Sequence, residues 1–158
     1  MDRTEELMQE AARCGAEVVD WDFRDTRIKG LYCDGVIAVS GRLARREQAA
    51  VMAEELGHHL TASGDIIDQR DAGSRKQERR GRAWAYDRLI GLHGILSAYG
   101  AGCTSRYEAA EFLDVPEEML QEAVDYYRNK YGTCARIGGY VIYFEPLGVR
   151  ALADWGTA

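Results

Sequence analysis

Glu54 and His58 stand four residues apart in the stretch Glu54-Glu55-Leu56-Gly57-His58-His59, and Glu55 lies directly beside the first of them. On a helix, residues four apart project from one face, about one turn from each other. Two side chains of a single helix can hold one metal ion in this way. A carboxylate oxygen and an imidazole nitrogen are both ordinary zinc ligands. From its neighbouring position, Glu55 could hydrogen-bond a water on such a metal and take its proton. The same pattern on a charged helix also describes a plain solvated face, and spacing alone does not choose between the two.

The pattern follows the logic of the His-Glu-x-x-His zinc peptidases, with Glu54 where the first histidine would stand. A negative ligand in place of a neutral one makes a metal less Lewis-acidic and its water harder to ionise. The harder ligand set also brings manganese or magnesium into consideration beside zinc. Two features favour the metal reading. Gly57 costs a helix interior about 1 kcal/mol relative to Ala, which suggests a neighbouring backbone packed close to it. In addition, two of the chain's three histidines fall in this one turn.

The flanking sequence predicts the elements that must hold this helix. Residues 2–14 read as a short helix ended by Gly15. Residues 16–23, 30–33 and 36–39 are rich in β-formers, and Asp34-Gly35 between the last two is a strong hairpin signal, so a small antiparallel sheet is expected. Ser40 offers a cap for a helix over residues 43–60. Residues 62–64 break that helix, and residues 66–74 read as a polar loop. A third helix is expected over residues 75–98, with Gly91 and Gly94 placed to kink it. Ser105 can cap a helix over 106–113. A turn at Asp114-Val115-Pro116 leads to another helix over 117–131, and residues 137–144 read as a final strand. The predicted class is α+β.

Composition narrows the function. The chain of 158 residues is 46% hydrophobic and 29% charged, enough to bury a core and stay dissolved. Its net charge of −6 argues against a nucleic-acid-binding role, which needs a basic face. The one dense basic stretch is residues 75–82. Cys14, Cys33, Cys103 and Cys134 form no Cys-x-x-Cys pair, so a cysteine zinc knuckle is not expected and reduced thiols fit a cytoplasmic setting. No apolar run reaches the length of a membrane span, and no signal-peptide core follows the charged first residues. The expected location is the cytoplasm.

Residues 51–66, which contain Glu54-Glu55-Leu56-Gly57-His58, resemble the metal-site helix of the ImmA/IrrE family. They are similar to a branch found in prophages and integrative elements, several members of which also show Glu-Glu-Leu-Gly-His. Residues 29–38 resemble the family's preceding hairpin and residues 75–86 its following helix. Residues 107–115 and 140–148 match its C-terminal part. The resemblance implies a zincin-like minimal core over residues 1–100. A C-terminal helical pair and strand over 101–158 would pack on it as a single compact unit.

The resemblance also implies a function. It points to a metal-dependent endopeptidase of a mobile genetic element that cleaves a helix-turn-helix repressor. Zinc, or alternatively manganese, would be the metal. Glu54, His58 and a Glu on the next helix would hold it, and Glu55 would be the general base. Glu78 is the only acidic residue in 75–86 and is therefore the candidate third ligand. The segment lacks the Asn and closing Pro that commonly follow that ligand in the family, and the surrounding arginines offer Glu78 ordinary ion pairs instead. Asp65 could orient His58 through a hydrogen bond, or simply end the helix at the surface. His59 points about 100° away from His58 and reads as structural or exposed, and His93 as packed or on the surface.

Two other roles compete. One is a catalytically weak binding module that sequesters a repressor or serves in a toxin-antitoxin pair. The other is a DNA-binding regulator, since residues 106–120 resemble the first half of a helix-turn-helix. Glu117, Glu118 and Glu122 on the second helix would repel phosphates, which favours packing or protein recognition there. No direct nucleic-acid or membrane partner is expected.

Overall fold

The computed structural model describes residues 1–61 and 72–155. Helix α1, Arg3–Arg13, begins at Asp2, whose carboxylate accepts from the Glu5 amide at 2.9 Å. The Glu5 carboxylate accepts in return from the Asp2 amide at 3.1 Å. This reciprocal cap satisfies two of the donors that every helix start leaves open. Leu7 and Ala11 on its inner side are fully buried.

Strands β2 (Gly30–Cys33) and β3 (Val36–Ser40) form the predicted hairpin. Asp34 at φ 45° and Gly35 at φ 79° make its turn, the left-handed backbone that Asp-Gly tolerates. Strand β1 (Glu17–Trp21) joins the other side of β3 in parallel, so the sheet order is β1-β3-β2 and the sheet is mixed. The hairpin signal concerns β2 and β3 only. A parallel partner arrives through a crossover, and no local residue pattern specifies its direction. Ile37 and Val39 of the central strand are buried.

Helix α2, Arg45–Thr61, packs on β2, β3 and α1. It starts later than Ser40 would allow as a cap. Ser40 instead ends β3, where its hydroxyl accepts from the Arg42 amide at 3.4 Å. The buried side of α2 is Ala49, Ala50, Met52, Ala53, Leu56 and Gly57. Most of these are small, which lets neighbouring backbone approach closely.

The predicted third helix is two. Helix α3, Ala72–Leu89, and helix α4, Gly91–Gly100, are separated at Gly91, whose φ of +64° cannot continue a right-handed helix. Gly94 stays helical. Helices α5 (Arg106–Leu113, capped by Ser105) and α6 (Glu117–Tyr131) follow as expected. Gly138-Gly139 then proves to be a hairpin turn within a three-stranded antiparallel sheet. Its strands are β4 (Cys134–Ile137), β5 (Tyr140–Phe144) and β6 (Leu147–Ala151), in place of the single strand expected.

Contacts divide the chain into two compact units, Met1–Ala85 and Tyr86–Ala158. The first holds the mixed sheet, α1, α2 and most of α3. The second is built on Leu120, Tyr127 and Ile142, all fully or almost fully buried. There the inner face of α6 is apolar, which accounts for its helical pattern by packing. Among the described residues, no helix is long and apolar enough to cross a membrane.

Candidate metal centre

Helix α2 carries Glu54 and Glu55 about one turn before His58, and its far end is held by a side chain outside the motif. His59 Nε2 lies 2.8 Å from the Cys14 carbonyl oxygen, and its Nδ1 lies 2.7 Å from the Tyr32 hydroxyl. A carbonyl can only accept, so Nε2 carries the hydrogen and Nδ1 accepts from the tyrosine. The Tyr32 oxygen in turn accepts from the Gly35 amide at 3.3 Å. His59 is therefore a satisfied strut that ties α2 to the end of α1 and to the hairpin turn. Sequence reading had it as structural or exposed, but 27 residues separate it from Tyr32 and nothing local signals the pairing. His93 is exposed.

Two glycine contacts set how α3 meets α2. A methyl group on Gly57 would run into the Gly81 carbonyl oxygen and come within 2.9 Å of its carbon. The close backbone approach expected at Gly57 is thus made by Gly81. Gly57→Ala should gain about 1 kcal/mol of helix propensity. It should lose more by overpacking, about 1–3 kcal/mol, because the obstacle is backbone and cannot swing aside. A net loss of about 1 kcal/mol or more in urea unfolding is expected, and an unchanged midpoint would contradict this packing. On the sheet side, Gly30 of β2 lies over α2, where an added Cβ would run into Val51 Cγ1 and sit 3.4 Å from Glu55 Cγ. Neither Gly30 nor Gly81 was singled out from the sequence.

At the centre, His58 Nδ1 is 3.2 Å from Glu55 Oε2. The carboxylate accepts, so Nδ1 carries the hydrogen, and in the neutral ring Nε2 keeps its lone pair. That Nε2 is buried and, among the described residues, has no hydrogen-bond partner. The Glu55 bond holds the imidazole's pKa above its ordinary 6.5, with further help from the negative charges of Glu55, Glu78 and Glu54 and against the opposing effect of burial. Glu54 and Glu78 thus lie within the electrostatic reach of His58. Glu78 is about half-exposed, and its carboxylate accepts from Arg82 at 3.0 Å, the ion pair its basic surroundings had offered. Asp65 lies outside the described residues.

An orphaned buried imidazole nitrogen in the field of three carboxylates suits a divalent cation in donor type and in charge. A buried polar atom without a partner costs about 1–3 kcal/mol, and a cation is one thing that would satisfy it. The donors are not gathered, however. Among the described residues, no three His, Cys, Asp or Glu side chains form a group that could hold a metal ion. The chain's residues fit such a group in kind, while Glu55 and Arg82 occupy two of the groups concerned.

A small mixed sheet backed by a helix bearing two carboxylates and an imidazole has the outline of a compact metallopeptidase. A family model described as Peptidase_M78, IrrE N-terminal-like domain, matches residues 11–136. The match spans most of the chain, which belongs to this family of ImmA/IrrE-type metallopeptidases. No curated protein and no solved structure matches it.

Proposed function

We propose that this chain is a cytoplasmic endopeptidase of a mobile genetic element that cleaves a helix-turn-helix repressor and thereby relieves repression. The observation that carries the reading is the buried Nε2 of His58, without a hydrogen-bond partner among the described residues, beside Glu55 on a helix that the matched family covers. Glu54, His58 and Glu78 are the residues that would hold a zinc ion, or alternatively manganese. Such an ion supplies Lewis acidity toward the scissile carbonyl and the attacking water. Glu55 is the general base. It takes a proton from the water as the oxygen attacks the carbonyl carbon, and delivers it to the departing amide nitrogen as the C–N bond breaks.

The test is metal content by mass spectrometry of the purified protein beside a Glu54→Ala/His58→Ala double variant. Near-stoichiometric zinc or manganese in the wild type, lost in the double variant, is the expected result. Metal in neither, even after loading with both ions, would end the metallopeptidase reading of this site. The second reading, a binding module that sequesters a repressor or acts in a toxin-antitoxin pair, is favoured by the Glu78–Arg82 pair, which engages one of the candidate ligands.

A further inference from the structure

The His58 ring lies in the space that a side chain at Gly81 would fill. A Cβ built on Gly81 would fall on the ring's Cδ2 and stand 2.8 Å from Nε2. Gly81 is itself buried. In this position neither ring nitrogen is open to an ion. Nδ1 is bonded to Glu55, and Nε2 is sealed from solvent with nothing to bond among the described residues. The two groups that the proposed chemistry needs, an imidazole ligand and a carboxylate base, are bound to each other.

We propose that Gly81 provides a resting seat for the His58 imidazole, and that the ring must leave this seat before it can take a metal. This rests on the metal reading of His58 given above. Gly81 is thus a positioning residue that weakens metal binding by stabilising a closed arrangement of the empty site. The physical basis is the ordinary tax on a ligand whose competent state is a minor one: apparent affinity falls by the fraction competent. Filling the seat removes the competitor.

Gly81→Ala is a mild way to fill it. The obstacle its methyl meets is a side chain that can rotate, in contrast to the carbonyl facing Gly57. Alanine also favours the helix by about 1 kcal/mol over glycine, so α3 is not weakened.

The experiment uses the full chain stripped of metal, with zinc ion as the probe and a competing chelating dye as the reporter. Wild type, Gly81→Ala and His58→Ala are compared. Proton NMR of the stripped wild type should show a close contact between His58 Hδ2 and the Gly81 α-protons, and saturating zinc should abolish it. Gly81→Ala should bind zinc more tightly, by about tenfold if the seated state outweighs the open one by that ratio.

Equal or weaker zinc affinity in Gly81→Ala, with binding that still needs His58, would overturn the seat while leaving the metal reading intact. Zinc binding that His58→Ala does not affect would overturn the metal reading, and the seat with it. If Gly81→Ala fails to fold, the wild type decides alone, because a His58–Gly81 contact that persists at zinc saturation overturns the proposal.

Discussion

Glu55→Gln is expected to lower peptide hydrolysis by about 10²–10⁴-fold, the usual contribution of a positioned general base, while leaving zinc content unchanged. Glutamine has nearly the shape of glutamate but cannot take a proton at neutral pH. The Glu55 side chain is only 13% exposed and is packed between β2 and His58, so an isosteric replacement changes its charge without disturbing the packing. The same substitution has a second readout that is independent of turnover. The Glu55 hydrogen bond is the largest cause of the raised His58 pKa, and burial opposes it. Without the carboxylate, the imidazole of the metal-free protein should titrate at lower pH than in the wild type, as an NMR titration would show.

The sign for stability follows. A histidine whose folded pKa is raised contributes stability that is fully present below its unfolded value and is lost as pH rises through the folded one. The variant should therefore lose the part of the wild type's acid-side stability that this pair contributes. If hydrolysis survives Glu55→Gln, another group is the base. If hydrolysis is absent from the wild type but derepression survives the substitution, the binding-module reading gains over the enzyme.

Tyr127→Ala is expected to destabilise the Tyr86–Ala158 unit by about 3–5 kcal/mol, the range for deleting a buried aromatic ring. Tyr127 is 1% exposed. Its ring lies 5.3 Å from that of Tyr126 and 6.3 Å from those of Tyr131 and Phe144. Removing it would leave a cavity walled by α6 and β5, which a helix on a sheet cannot easily collapse to fill.

The hydroxyl contributes less. It donates to the Asp87 carboxylate at 2.8 Å, and burial is the main reason the phenol stays protonated, with this bond adding to it. Asp87 is exposed and can be rehydrated when the donor is lost. Tyr127→Phe should therefore cost only about 1 kcal/mol. Urea unfolding of the two variants separates ring from hydroxyl. A loss in Tyr127→Ala no larger than in Tyr127→Phe would show that the ring is not the centre of this core.

The sequence by itself determined what depends on neighbours along the chain. Asp34-Gly35 specified the β2–β3 turn through its tolerance of positive φ. Ser105 specified the start of α5 through its bond to the Glu108 amide. The spacing of Glu54, Glu55 and His58 put them on one helix, and helical geometry alone places Glu55 within reach of the His58 ring. Each of these is a matter of backbone dihedrals or of residues within about one helical turn.

Only the tertiary structure decided the rest. The sequence identified Gly57 as a close approach but could not say that Gly81, 24 positions further on, is what approaches. It could not show that Tyr32 and the Cys14 carbonyl would satisfy both nitrogens of His59, or that β1 would run parallel to β3. It also missed β6, because a short strand with a central glycine and arginine shows little alternation. These outcomes depend on which distant surfaces exclude water together. The Nε2 side of His58, pressed against Gly81 of the next helix, is set by that packing and by no pattern within the motif.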